Sequence, residues 1–168
     1  MKYVYGLIFR YLLIFIPLSL FYLILTPITI YGVYFLLYPL DPIIVGNILS
    51  VNGIPFTFID ACIAIYAYWL LLFLALTTKD VGLKIRIKII LIGFLLILLM
   101  NYFRIWLLII LTVKYGFGAF NTVHLIFWKF VSWIYVALIW IGLVKYYKIK
   151  SIPVYSDFKH LIKKIKKK

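Results

Sequence analysis

The chain has 168 residues, of which 67% are hydrophobic, 20% aromatic and only 13% charged, and its mean hydropathy is +1.16. Soluble domains are about half apolar and a quarter charged, so this composition excludes a water-soluble globule, a disordered tail and a soluble nucleic-acid-binding domain. The net charge of +14 comes from 18 basic residues against four aspartates. We therefore predict an all-α membrane protein with no nucleic-acid partner, in which the excess charge first indicates topology.

Four long apolar blocks follow one another along the chain. The first, at about 11–37, contains Pro17 and Pro27; it is too long for one upright helix and too short for two, so we predict a single kinked or tilted span. The other predicted spans cover about 61–78, 89–113 and 123–144. The pattern predicts an integral membrane domain over 1–150, with about four transmembrane helices, and a basic tail over 151–168.

A polar-poor connection joins the first two predicted spans. It contains Asn52-Gly53 between apolar, β-prone flanks, which is a strong hairpin pattern. We predict a short extracytoplasmic β-hairpin, or a re-entrant segment, before the second span.

The basic residues that flank the blocks predict the orientation of the chain. Two precede the first block, four separate the second from the third, and nine follow the fourth. Four spans place all three groups on one side, which five spans would not do, and Lys and Arg collect on the cytoplasmic side. Both termini are therefore predicted to be cytoplasmic. The residues concerned are Lys2, Arg10, Lys79, Lys84, Arg86, Lys88, Lys145, Lys148, Lys150, Lys159, Lys163, Lys164, Lys166, Lys167 and Lys168.

Apolar residues recur at helical spacing between the lysines of the tail. This pattern, carried by Phe158, Leu161, Ile162 and Ile165, predicts a basic amphipathic helix that lies on the anionic lipids of the inner leaflet. His160 is interpreted as a solvated residue of that helix.

A few polar residues near the membrane are not explained by topology, and such residues are functional candidates. They are Asp60, Cys62, Asn101, Arg104, Lys114, His124 and Lys129, of which the two lysines are interpreted as solvated or interfacial. Counting 1.5 Å per residue from the flanking basic groups places Cys62, Arg104 and His124 about 26, 24 and 32 Å above the inner boundary. The hydrocarbon core is about 30 Å thick. We therefore predict that these three residues, from three spans, meet near the outer interface.

A thiol, a fixed cation and an imidazole together suit nucleophilic acyl transfer. Cys62 would be the nucleophile, since a neighbouring cation favours a thiolate. Arg104 would stabilise the thiolate or an oxyanion, and His124 would be the general acid and base. Asn101 faces the same way as Arg104 on a helix and would support it. One cysteine excludes a disulfide or CxxC pair within the chain, and the sequence predicts no metal and no other cofactor.

Each candidate also has a purely structural interpretation. Cys62 can be a small packing residue, Arg104 can extend to the interface, His124 can anchor the start of a span, and Asn101 can bond two helices. Two other functions stay open: a small four-span transporter, and a non-catalytic membrane scaffold. The absence of Glu and of a mid-span Asp argues against proton-coupled cation export.

Three short motifs resemble the signature blocks of the exosortase/archaeosortase family. They read Asp60-Ala61-Cys62-Ile63, Asn101-Tyr102-Phe103-Arg104-Ile105 and Asn121-Thr122-Val123-His124. In that family an Ala-Cys pair opens one span, Asn-x-x-Arg-Ile lies late in the next, and a His opens the one after. The order and approximate separations match over roughly 45–145. The chain departs from the family in having Ile63-Ala64 where Ser-Gly often follows the cysteine, and in having fewer spans than many members.

The resemblance implies a membrane cysteine protease or transpeptidase with Cys62 as nucleophile, Arg104 as its electrostatic partner and His124 as the third member. Its substrates would be secreted surface proteins with a C-terminal sorting signal, made of a short motif, a transmembrane helix and a basic cluster. Cleavage would occur at the outer face of the cell membrane. The new C-terminus would pass to an acceptor, which is a lipid in the archaeal branch.

Overall fold

A computed structural model describes residues 2–15, 17–79, 81–127, 131–149, 151 and 153. The predicted helix of the basic tail lies outside these residues, as do Lys129 and His160. The described part is mostly helical, with one small sheet. Its elements are α1 (Lys2–Ile14), α2 (Leu18–Leu36), a 3-10 turn (Tyr38–Leu40), β1 (Ile43–Val45), β2 (Ile48–Val51), β3 (Ile54–Thr57), α3 (Asp60–Ile63), α4 (Ile65–Thr77), α5 (Leu83–Tyr115), α6 (Phe117–Ile126) and α7 (Ser132–Tyr146).

Two of the described helices, α2 and α5, are long and apolar enough to cross a membrane. They have 19 and 33 residues, whereas the apolar helices α4 and α7 have 13 and 15. A span needs roughly 20 apolar residues. Helix α5 extends past the predicted third span at both ends. At its start, the basic stretch at Lys84 and Arg86 continues the helix instead of forming a loop.

Two of the other apolar blocks, the first and the second, are divided into shorter helices. The first block is divided between α1 and α2 next to Pro17, whose missing N–H and bulky ring disfavour a continuous helix. The second is divided at Ala64, which has a left-handed backbone with φ 59°. The fourth was predicted to begin at 123, but that position lies inside α6, which begins at Phe117 after a left-handed Gly116.

The end of α4 lies at one level with Arg10 of α1 and Arg86 of α5. Arg10 Nη1 of α1 and Arg86 Nη2 of α5 both donate to the carbonyl oxygen of Thr78, at 3.4 and 2.8 Å. Helix α4 runs antiparallel to α5 from there, so that Leu71 lies against Gly93. These contacts therefore fix the relative height of α1, α4 and α5 at this end of the helices.

Two apolar clusters follow along the length of α5. The first joins α4 and α7 to the middle of α5 through residues such as Leu71, Ile97 and Val136. The second lies further along α5 and packs Ile109 against Val33 of α2 and Val51 of the sheet. The sheet thus covers the far ends of α2 and α5, next to the candidate site.

The sheet is antiparallel, with strand order β1-β2-β3. The predicted hairpin at Asn52-Gly53 is confirmed: both residues have positive φ, as the favoured two-residue turn requires, and they join Val51 to Ile54. The structure adds a preceding strand, β1, joined to β2 by Gly46-Asn47. Asn47 Nδ2 donates to the Tyr22 hydroxyl oxygen of α2 at 2.7 Å, which ties this turn to a candidate membrane helix.

Candidate functional site

Cys62 lies on the one-turn helix α3, between the end of β3 and the start of α4. It is a free cysteine of intermediate burial. Its thiol donates to the carbonyl oxygen of Thr57, the last residue of β3, with Sγ and the oxygen 3.9 Å apart. The strand that enters the site and the helix that leaves it thus position the sulfur together.

Asn101 and Arg104, one helical turn apart on α5, hold the Cys62 turn from the other side. Asn101 Nδ2 donates to the carbonyl oxygen of Cys62 at 2.9 Å, and Arg104 Nη2 donates to that of Ala61 at 2.6 Å. The last carbonyls of a helix have no partner within it, and α3 stops at once because Ala64 leaves the helical region. The two α5 side chains satisfy these carbonyls, which explains why they are polar at this depth.

Each of these side chains also keeps a buried polar atom without a partner. Asn101 and Arg104 are 3% and 5% exposed, and Asn101 Oδ1 and Arg104 Nε accept or donate no hydrogen bond among the described residues. Both side chains line a cavity of about 30 Å³ between α4, α5 and α7. That volume is enough for a water molecule. A buried polar group without a partner costs about 1–3 kcal/mol, so these atoms are available to a ligand or a reaction intermediate.

His124 lies on α6, where its ring stacks on Phe120 with the ring centres 5.2 Å apart and the planes at 10°. No hydrogen bond joins its imidazole to Cys62 or to any other described residue. Helix α6 follows α5 directly after Gly116 and packs against it, and it is not among the described helices long and apolar enough to cross a membrane. Burial, and then the positive charge of Arg104, lower the pKa of the His124 imidazole. The neutral, proton-accepting form is therefore favoured at neutral pH.

The structure brings three of the four predicted site residues into one contact network and leaves the fourth outside it. Cys62, Asn101 and Arg104 meet through the hydrogen bonds above, and His124 is within electrostatic range of Arg104. Asp60 and Lys114 are both exposed and take no part. Sequence reasoning did not single out Thr57, although its position at the end of a β-prone run just before the cysteine is a signal for it.

Ala64 takes the place where the family resemblance leads one to expect glycine. Its backbone, φ 59° and ψ 34°, is left-handed, and a residue with a Cβ pays about 1–2 kcal/mol for that conformation. The turn that glycine would form easily is thus formed here by alanine. The turn after the cysteine is therefore sharp although no glycine forms it.

A scan against protein-family models and searches of curated proteins and of solved structures found no match to this chain.

Proposed function

We propose that this protein is an integral-membrane cysteine peptidase or transpeptidase that cleaves C-terminal sorting signals of secreted surface proteins. The observation that carries the proposal is the Cys62 turn held by two buried polar side chains, each with one unpartnered polar atom. Of these two atoms Asn101 Oδ1 is an acceptor and Arg104 Nε is a donor, and a purely structural clamp needs no spare donor beside the chain's only cysteine. Acyl transfer needs such a donor, because negative charge develops on an oxygen near the sulfur.

The proposed topology has four spans, made by α1 with α2, by α3 with α4, by α5, and by α7. The charge pattern supports cytoplasmic termini, and Arg10, Thr78 and Arg86 mark the inner level. Arg104 is 18 residues along α5 from Arg86, which corresponds to about 27 Å. This distance supports an active site at the extracytoplasmic face of the cell membrane.

In the proposed reaction the Cys62 proton passes to His124 while Sγ bonds to the scissile carbonyl carbon of the substrate. The resulting oxyanion accepts a hydrogen bond from Arg104. When the C–N bond breaks, the imidazolium returns its proton to the leaving amine, and a thioester remains on Cys62. A nucleophile, either water or an acceptor such as a lipid, then attacks the thioester and restores the thiol. The stacked position of His124 on Phe120 requires its side chain to turn towards the sulfur for this step.

The experiment is processing of a tripartite-signal substrate in cells that produce this protein or its variants. Cys62→Ala should abolish processing, and Arg104→Gln and His124→Gln should each lower it by roughly 10²–10³-fold, the usual effect of removing an oxyanion donor or a general base. The matched control is Thr122→Ala, which changes an exposed residue of α6 near His124. Full processing by Cys62→Ala would overturn the proposal.

A structural role of Arg104 predicts a different result. Removal of its guanidinium leaves the Ala61 carbonyl without its partner, which lowers the free energy of unfolding by about 1–3 kcal/mol. Arg104→Lys keeps the charge but loses the planar fork. If Arg104→Lys and Arg104→Gln lower thermal stability and processing in parallel, the role of Arg104 is only to hold the Cys62 turn in place. A loss of processing at full stability assigns it to the chemistry.

A further inference from the structure

We propose that the free edge of β3 is the substrate-binding strand of the site. In this arrangement an extended polypeptide segment pairs with β3 through its backbone and brings its scissile bond to Cys62. This inference rests on the proposed function and names how the substrate is held.

The register of the sheet determines which backbone groups of β3 face outward. Val51 and Ile54 flank a two-residue turn, so they form a hydrogen-bonded pair. Pairs in an antiparallel ladder alternate between bonded and non-bonded, which makes Ser50–Pro55 and Ile48–Thr57 non-bonded pairs. The N–H and C=O groups of Thr57, and the C=O of Pro55, therefore point away from β2.

Two further observations agree with this assignment. Pro55 has no N–H, which a strand tolerates only where that group would face outward. The Phe58 N–H donates to the Asn47 carbonyl oxygen at 2.9 Å, which continues the ladder one residue past Thr57 with the expected alternation. Among the described residues, no turn, loop or cap hydrogen bond between backbone groups uses Thr57, the Thr57 carbonyl oxygen accepts only from the Cys62 thiol outside the ladder, and no strand lies on the outer side of β3.

The outward-facing groups of β3 lie directly beside the nucleophile. The Thr57 carbonyl oxygen is the group that contacts Cys62 Sγ. Pro55 and Thr57 are both exposed. At the edge of a membrane an unpaired strand is costly, because little water is present to satisfy its backbone. An extended peptide satisfies these groups by strand addition, whereas a folded or helical segment does not.

The opposite edge of the sheet provides an internal comparison. Ile44 pairs with Leu49 one residue from the Gly46-Asn47 turn, so by the same alternation its N–H also faces outward, but from β1. Strand β1 is separated from β3 by β2. A peptide on β1 would lie two strands from the thiol, so β3 is the edge that suits the chemistry.

The test uses disulfide tethering and needs no catalysis. Purified protein in micelles is equilibrated with a capped peptide of alternating Val and Thr that carries one central Cys, in a buffer of reduced and oxidised glutathione, in which the oxidised form is the oxidant for the mixed disulfide. A second probe is identical except that its backbone nitrogens on both sides of that Cys are methylated. Intact mass measures the fraction of Cys62 in each mixed disulfide. We expect the unmethylated probe to be favoured roughly tenfold, the effect of about two hydrogen bonds.

Three variants assign this binding to β3. The Thr57 N–H donates to a probe carbonyl that both probes keep, so Thr57→Pro, which removes this N–H without breaking the β2–β3 ladder, should lower capture of both probes severalfold. Thr57→Val keeps the N–H, and Ile44→Pro removes the equivalent group of β1, so both should leave the capture and the preference unchanged. Equal capture of the two probes by the wild-type protein, or no capture of either, would overturn the proposal, as would loss of the preference in Ile44→Pro alone. Tethering that occurs as expected in a protein that processes no substrate would reject the proposed activity and leave strand addition standing.

Discussion

Arg104 donates one N–H to a backbone carbonyl and keeps another, on Nε, without a partner among the described residues. A buried guanidinium is costly unless its donors are satisfied, because charge loses its hydration in an apolar surrounding. At the scale of the single residue, Arg104 is therefore only partly compensated. An oxyanion placed beside Nε would complete its hydrogen bonds, which is the physical reason to connect this residue with acyl transfer.

The pKa of the His124 imidazole depends in part on the charge of Arg104. Burial and the Arg104 cation both disfavour the imidazolium, so the pKa of His124 should lie below the ordinary value of about 6.5. Arg104→Gln removes the second cause and should move the His124 pKa upward, although burial still keeps it low. NMR titration of ring-labelled histidine in a His160→Gln background, which leaves His124 as the only histidine, measures both values. An unchanged pKa in Arg104→Gln would place the guanidinium too far away to act on His124.

At the scale of the helix, close approach of α2 and α5 depends on a glycine. A Cβ on Gly32 would overlap the ring of Tyr102, and the Tyr102 hydroxyl donates to the Ile28 carbonyl oxygen at 2.8 Å. The ring cannot swing aside without losing this hydrogen bond. These two helices are also the ones long enough to cross a membrane, and they carry the sheet at their far ends.

Gly32→Ala should therefore lower the free energy of unfolding by about 1–3 kcal/mol, as over-packing does in other cores. Gly142→Ala is the matched control, since Gly142 lies in α7 with open space around its Cα. The control should be neutral, or stabilising by about 0.5–1 kcal/mol, because alanine favours a helix. Thermal unfolding in one detergent compares the two variants, and equal effects would contradict a tight contact at Gly32.

At the scale of the whole molecule, the arginine contacts at Thr78 and the site at Cys62 lie at opposite ends of α4. The proposed topology puts the first level inside the cell and the second outside. A membrane-impermeant maleimide added to intact cells should therefore label Cys62, the only thiol of the chain.

A cysteine at the other level provides the control for that labelling. Lys84→Cys, in a Cys62→Ala background, puts an exposed thiol near the start of α5 and should be labelled only after the membrane is opened. Labelling of Lys84→Cys in intact cells, or protection of Cys62 there, would reverse the proposed orientation.

The sequence by itself determined the features that depend on local pattern. Hydrophobic runs predicted a mostly helical, membrane-type chain, and Asn52-Gly53 predicted the hairpin, because both follow from solvation and from backbone conformations that few residues adopt. Counting residues along the helices also predicted one level for Cys62, Arg104 and His124, since the rise per residue is fixed, and the Arg104 side chain donates to the carbonyl next to Cys62 while His124 makes no contact with the thiol among the described residues.

Tertiary structure decided the features that depend on contacts between residues far apart in the sequence. The break at Ala64 divides an apolar run that hydropathy alone treats as continuous, and no local pattern predicts that alanine will adopt a left-handed turn. Hydrogen bonds from Asn101 and Arg104 to the Cys62 turn join residues about 40 positions apart. The unpartnered polar atoms of these two side chains follow from their burial. The outward edge of β3 beside the thiol follows from the strand register. Both arise only when the helices and the sheet pack together.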